Sequence, residues 1–182
     1  LDMMAQQAQR MQSVVQDPLT LSRLEGSPLP GMAEWTPVQS LMQRCEAEGR
    51  ALSALLTQNP QRPHAMRFPA ADRLRAEGEI AGVPAELQSA LSNLVNNAVR
   101  YTPASGAVRV TWTRTQDGSA VFAVADTGPG IDPLHIARLT ERFYRVDRSR
   151  SRDTGGTGLG LAIVKHVLQR HGATLHIDSV LG

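Results

Sequence analysis

Gly155-Gly156-Thr157-Gly158-Leu159-Gly160-Leu161 leads directly into an apolar-periodic segment, Leu159 to about His171, and no other stretch restricts the architecture as much. Glycines at the mouth of a helix let a ligand reach backbone N–H groups that have no partner inside the helix. Those groups sit at the positive end of the helix dipole, an arrangement suited to phosphate. A plain flexible hinge is the lesser alternative for such glycines. The spacing removes the dinucleotide-binding doubly wound fold. Gly156, Gly158 and Gly160 do not follow G-x-G-x-x-G, and the preceding Arg150-Ser151-Arg152-Asp153-Thr154 is no strand. Lysine usage removes two more architectures. Lys165 is the sole lysine among 19 basic residues, and no G-x-x-x-x-G-K-[S/T] loop precedes it. The strand lysine, H-R-D and D-F-G of eukaryotic-type protein kinases are missing as well.

The rest of the chain reads as α+β. Residues 1–25 form a long amphipathic helix with a Met4, Ala8, Met11, Val15 seam, continued by Leu21 and Leu24, which suits either a partner helix or its own domain. Pro18 inside it is expected to kink or divide the helix. The breaker-rich Gly26-Ser27-Pro28-Leu29-Pro30-Gly31 places a linker at 26–33, with one domain spanning 34–182. A short strand is expected at 34–36. A helix follows from Pro37 to about Thr57, capped by Thr36, with Val38, Leu41, Met42, Cys45, Leu52, Leu55 and Leu56 as its core stripe. Asn59–Pro63 reads as a turn, and His64–Phe68 and Gly78–Val83 as strands. A Pro84 helix reaches Tyr101. Val108, Val110 and Trp112 alternate with polar residues as in a half-buried strand, and Asp117-Gly118 signals a hairpin. Ala120–Ala125 is apolar throughout, as in a strand covered on both faces, and Thr174–Ser179 reads as a final strand.

Three further clusters accompany the glycine run. On the Pro84 helix, Leu87, Leu91, Leu94, Val95 and Ala98 face a core, while Asn93, Asn97 and Arg100 stand on a neighbouring stripe with Tyr101 at its edge. Asparagine is a poor mid-helix residue, so Asn93, Asn96 and Asn97 together cost helix stability. They suit neutral oxygen ligands for a hard cation such as Mg²⁺, with Arg100 near phosphate; a solvated polar face is the plainer account. Asp126-Thr127-Gly128-Pro129-Gly130-Ile131 puts a carboxylate at a strand end beside glycines that admit a flat ligand, suited to an exocyclic amino group such as adenine's. An ordinary strand-to-turn exit is the alternative there. Between the glycine runs, Glu141-Arg142-Phe143-Tyr144-Arg145-Val146-Asp147 with Arg148, Arg150 and Arg152 reads as a lid, with Phe143 and Tyr144 seating it and arginines closing over polyphosphate. A solvated basic loop is the other reading.

In this order the segments resemble the ATP-binding catalytic domain of bacterial sensor histidine kinases. Asn93 to Tyr101 is similar to the family's N box, Asp126-Thr-Gly128-Pro-Gly130 to its first glycine box, Glu141 to Arg145 to its F box and Gly156 to Leu161 to its second glycine box. Thr140 to Asp147 with Thr154-Gly-Gly-Thr-Gly is similar to the phosphate-responsive PhoR subfamily, and residues 1–25 resemble the second helix of the dimerisation and phosphoacceptor hairpin. The resemblance implies the Bergerat fold, a layered α/β sandwich that binds ATP. It implies Asn97 as ligand of Mg²⁺, Asn93 supporting the phosphates, and Arg100 and Tyr101 at phosphate or ribose. Asp126 would take the adenine amino group within the turn of Gly128, Gly130 and Ile131. Arg145 would stand near the γ-phosphate, and Gly156, Thr157, Gly158, Leu159 and Gly160 would line the phosphate-binding run. The reaction implied is transfer of the γ-phosphoryl to a histidine, with Asn93 and Arg145 in catalytic roles, and relay to an aspartate of a response regulator.

The acceptor motif is absent: His64, His135, His166, His171 and His176 all lie within the matching region, and the family's last strand would fall beyond Gly182. The resemblance further implies a homodimer through the amino-terminal helix and a parent anchored in the inner membrane with this portion cytoplasmic. A lone cysteine suits such a reducing compartment, and no apolar run here has the length of a membrane span. An ATP-driven clamp of the gyrase, Hsp90 or mismatch-repair kind is the alternative, disfavoured by the F box and the first helix. Nucleic-acid binding is not expected, because the 4% of aromatic residues are not interleaved with the arginines as stacking platforms.

Overall fold

The computed structural model describes residues 2–31, 34–57, 63–146 and 156–182; the side chains of 2–10, 12 and 13 are not considered. The expected turn at Asn59–Pro63 falls mostly outside the described residues. In chain order the elements are α1 (Asp2–Gly26), β1 (Trp35–Pro37), α2 (Val38–Leu56), β2 (Ala65–Arg67), α3 (Ala71–Ala76), β3 (Glu79–Ala81), α4 (Pro84–Tyr101), β4 (Ala107–Arg114), β5 (Ala120–Asp126), α5 (Pro133–Ile136) and α6 (Gly160–Arg170). The chain divides into two compact units, one of residues 30–128 and one of residues 1–29 with 129–182.

The 30–128 unit is built on a mixed three-stranded sheet in the order β2-β4-β5, with β2 parallel and β5 antiparallel to β4, and a separate antiparallel β1-β3 pair. The alternation expected of β4 is present: Val108, Val110 and Trp112 are buried and Arg109, Thr111 and Thr113 exposed. They join Val38, Leu41, Met42 and Cys45 of α2 and Leu87, Leu91, Val95 and Val99 of α4 in one core. Leu55, Leu56 and Leu94, expected in the same stripes, are only half-buried. The two helices approach so closely that a Cβ on Gly49 would lie 2.8 Å from Val95 Cγ1 and 2.9 Å from Met66 Cε.

Local chemistry sets the boundaries. Pro84 opens α4 without sacrificing an intrahelical donor, and the helix closes at Thr102 just before Pro103. Thr36 does not cap α2 as expected. Its hydroxyl donates to the Gly82 carbonyl at 3.0 Å, beside the β1-β3 pair, and Pro37 occupies the cap position without a side-chain bond. The short α3 escaped the sequence reading because it buries a single side chain, Leu74. Arg114 ties β4 to the α3–β3 turn through the carbonyls of Glu77 at 2.7 Å and Glu79 at 2.9 Å. The expectation for Ala120–Ala125 also needs correction. β5 pairs with β4 along one side only, and its side chains are exposed or half-buried. An all-apolar run reports residues that tolerate burial, not which faces are covered.

In the other unit α1 runs through Pro18 undivided, and it buries Leu21 and Leu24 while Met11, Val14, Val15 and Leu19 stay exposed. Arg170 of α6 donates to the carbonyls of Leu24 at 3.0 Å, Ser27 at 3.0 Å and Pro28 at 2.7 Å, satisfying oxygens at and beyond the end of α1. Glu25 pairs with Arg142. The expected strand at Thr174–Ser179 is not formed. A strand needs a ladder, and here the terminal stretch makes isolated bonds, Ile131 N–H to Ser179 Oγ at 2.9 Å and Gly182 N–H to the Pro129 carbonyl at 3.1 Å.

Replacing Gly49 by valine forces α2 away from Val95, and denaturant unfolding is expected to show a loss of about 1–3 kcal/mol. Cys45 supplies a second test. Burial, opposed by its hydrogen bond with Ser92, pushes the thiol up to about 11 from 9.0. The unfolded thiol ionises first, so its contribution to stability is intact below pH 9 and is lost as pH rises towards 11. Unfolding midpoints measured across that range should fall in the parent chain, with a shallower fall in Cys45→Ala.

Candidate nucleotide site

The polar stripe of α4 survives folding. Asn93, Asn96, Asn97 and Arg100 are all half-buried, and Tyr101 is 51% exposed at the end of the helix. Asn93 Nδ2 donates one of its two hydrogens to the Ser89 carbonyl at 2.8 Å, which ties the amide to the preceding turn. Asn97 stands one turn further on, and its neutral oxygen is the type of ligand a hard cation accepts. Among the described residues no group of three or more His, Cys, Asp or Glu is placed to hold a metal ion.

Asp126 closes β5 with its side chain exposed. Its Oδ1 accepts the Gly128 N–H at 2.8 Å, which fixes the carboxylate in one orientation. Thr127 continues the ladder, its N–H meeting the Ala107 carbonyl at 3.1 Å and its hydroxyl accepting the Ala107 N–H at 2.9 Å. A Cβ on Gly128 would come within 2.7 Å of Asp126 Oδ1 and 3.0 Å of the Tyr101 carbonyl, so a side chain there would displace the Asp126 carboxylate or press on the end of α4. The turn thus brings an aimed carboxylate and the exit of α4 together in one unit.

In the second unit, Gly130 has φ +75°, and a Cβ on it would overlap the Val180 carbonyl. Ile131 is held by Ser179. Arg145 reaches the Gly156 carbonyl, and Phe143 N–H meets the Gly158 carbonyl at 2.9 Å. Gly158 has φ +74°, and a Cβ there would sit 3.0 Å from the Phe143 backbone. Phe143 and the glycine run are therefore joined backbone to backbone. Thr157 Oγ1 accepts the Leu159 N–H at 3.2 Å and donates to Asp17 Oδ2 of α1 at 2.5 Å. That bond engages one of the N–H groups expected to face phosphate, and α6 starts at Gly160 without a side-chain cap.

One member of the aromatic pair behaves differently from expectation. Phe143 does not seat the segment: at φ 62° its ring is turned outward and is 69% exposed. Tyr144 packs as expected, with its hydroxyl 2.6 Å from His135 Nδ1 and Arg138 4.2 Å above its ring. Arg138 is held over that ring by Glu141. His135 and Arg138, one turn apart, were the missed signal. Asp147, Arg148, Arg150 and Arg152 of the expected lid, and Gly155 of the glycine run, lie outside the described residues. A cavity of about 360 Å³ in this unit is lined by Thr140, Lys165, Gln169 and Leu175 among others. None of the candidate nucleotide residues lines it, so it is separate from this chemistry.

Comparison with known proteins adds independent observations. Residues 82–182 match the family described as histidine kinase-, DNA gyrase B-, and HSP90-like ATPase. The phosphate regulon sensor protein PhoR of Pseudomonas aeruginosa is 49% identical over all 182 residues, which cover 39% of that relative. The chain spans less than half the length of the curated relatives it matches. Among solved structures, the mycobacterial sensor histidine kinase MprB aligns with TM-score 0.58 and 27% identity over 76% of this chain and 80% of that one. Full-length ShkA in complex with AMPPNP aligns with TM-score 0.63 and 28% identity over 89% of this chain and 31% of that one.

Proposed function

Because the chain belongs to the histidine kinase-, DNA gyrase B-, and HSP90-like ATPase family, we propose that it is the ATP-binding catalytic portion of a sensor histidine kinase. The observation that carries this reading is the Asp126 turn, where a carboxylate is oriented by Gly128 N–H and a side chain at Gly128 would push that carboxylate aside. A carboxylate fixed in this way accepts a hydrogen bond from the exocyclic amino group of adenine and offers nothing to the carbonyl oxygen guanine has there. The PhoR relative and the AMPPNP complex of ShkA support the same assignment.

Asn97 supplies a neutral oxygen to Mg²⁺, which neutralises polyphosphate charge, and Asn93 supports the phosphates. Arg100 and Tyr101 contact phosphate or ribose. Arg145 stabilises charge at the γ-phosphate, and the run from Gly156 to Gly160 supplies backbone N–H groups. The γ-phosphoryl passes to a histidine other than the five of this chain, and from there to an aspartate of a response regulator. Such transfer depends on positioning and electrostatics more than on covalent participation by the protein. In the parent protein α1 forms the second helix of a dimerisation hairpin, residues 26–33 link it to the domain at 34–182, and the whole is anchored at the inner membrane. No described helix here is long and apolar enough to cross a membrane.

Calorimetric titration with ATP, with and without Mg²⁺, tests the reading directly. Metal-dependent binding is expected, and a chain that fails to bind adenine nucleotide overturns it. Asn97→Asp places a negative charge beside the polyphosphate and should weaken Mg-ATP binding roughly tenfold or more. An unchanged affinity would remove Asn97 from the metal. Asp126→Asn should lower ATP affinity by about tenfold while sparing GTP. Equal losses for the two nucleotides would make Asp126 a structural residue.

A further inference from the structure

His64 lies immediately before β2, is only 7% exposed, and uses both ring nitrogens. Nε2 stands 2.9 Å from the Thr102 carbonyl oxygen and Nδ1 2.8 Å from Ser53 Oγ. A carbonyl can only accept, so the ring proton is on Nε2; Nδ1 then presents a lone pair, and the Ser53 hydroxyl donates to it. Both partners are fixed by their own helices. The Ser53 carbonyl accepts the N–H of Thr57 at 3.0 Å and its hydroxyl at 2.7 Å. Thr102 returns its N–H to the Ala98 carbonyl at 3.0 Å and its hydroxyl to the same oxygen at 2.6 Å. The imidazole is therefore a rigid strut from the end of α2 to the end of α4.

The place where it grips α4 matters. Thr102 is the first residue beyond the helix and 5% exposed, so its carbonyl is one of the acceptors a helix end leaves without an intrahelical donor. A leucine in place of His64 would fill the space and strand that oxygen. The preceding carbonyl, that of Tyr101, is the one lying against Gly128, whose N–H orients the Asp126 carboxylate. His64 thus holds one peptide away from the surface on which the Asp126 turn rests. Every link in this chain lies within the 30–128 unit.

We propose that His64 is a positioning residue for purine recognition: by donating Nε2–H to the Thr102 carbonyl, it fixes the exit of α4 and so the seat of Gly128 and the Asp126 carboxylate. The proposal rests on the nucleotide reading above. The two halves of the imidazole are separable by substitution. His64→Gln places an amide N–H where Nε2 stands, whereas the shorter side chain of His64→Asn reaches only the Ser53 side.

Both variants should be measured in the full 182-residue chain for ATP and GTP affinity by calorimetry, for amide hydrogen exchange at Gly128, and for thermal stability. His64→Gln is expected to stay within about twofold of the parent in ATP affinity. His64→Asn should lose roughly tenfold in ATP affinity, with the ATP-to-GTP ratio falling, and Gly128 should exchange roughly tenfold faster. A His64→Asn chain that melts earlier yet keeps its ATP affinity and its Gly128 exchange rate overturns the proposal, because His64 then only stabilises the fold. Should His64→Asn not fold, Ser53→Ala releases the far end of the strut. Faster Gly128 exchange in that variant supports the proposal and an unchanged rate overturns it. A parent chain that binds no ATP sinks the nucleotide reading, while Gly128 exchange in the nucleotide-free variants still decides whether His64 restrains the turn.

Discussion

The Tyr101 carbonyl and Gly128 lie so close that a Cβ on Gly128 would stand 3.0 Å from that oxygen, and the end of α4 and the end of β5 meet at that contact. One side of it is the end of α4, whose apolar stripe is pressed against α2 where Gly49 admits Val95. The other is the end of β5, held in register against β4 from Arg114↔Ala120 to Val108↔Asp126. Helix packing and strand pairing are set by different residues, yet both terminate within one turn of backbone. A carboxylate placed there is oriented by its own neighbour's N–H and needs no long-range partner of its own.

Much of this was legible in the sequence, for identifiable reasons. The α4 boundaries follow from Pro84 and Pro103, and the β4 alternation is strict enough to leave one assignment of faces. Asp126 followed by Gly128 and Gly130 was readable as a turn at a strand end, and what folding adds is the carboxylate oriented by the Gly128 N–H. The failures share a cause as well. Thr36 offered cap chemistry but met the Gly82 carbonyl first. Ala120–Ala125 and Thr174–Ser179 carried strand-like composition, and whether such a run is covered or paired is decided by a distant partner that no local pattern encodes. Tyr144 and Phe143 are adjacent and alike in sequence, and only the His135 and Arg138 contacts distinguish the buried ring from the exposed one. His64 gave no periodic signal because its value lies in two bonds made 11 and 38 residues away.

In the other unit, polar contacts recur between α1 and the carboxy-terminal third. Asp17 meets Thr157 in the glycine run, Glu25 meets Arg142, and Arg170 closes the end of α1. Two of these are charge pairs or charge-assisted contacts at partly exposed positions, where individual contributions are small. Arg170 differs because it answers three carbonyls that a helix end and the following residues would otherwise leave to water.

The parallel pairing of β2 with β4 carries a kinetic consequence. Parallel neighbours cannot be joined by a tight turn, and here the crossover between them contains α3, β3 and the whole of α4. The β4-β5 hairpin closes over a short loop and can form early, whereas β2 docks only after the intervening chain has been gathered, with its large loop-closure entropy. The asparagine-bearing helix lies within that crossover, so the closure that brings β2 to β4 also gathers the helix that carries Asn93 and Asn97.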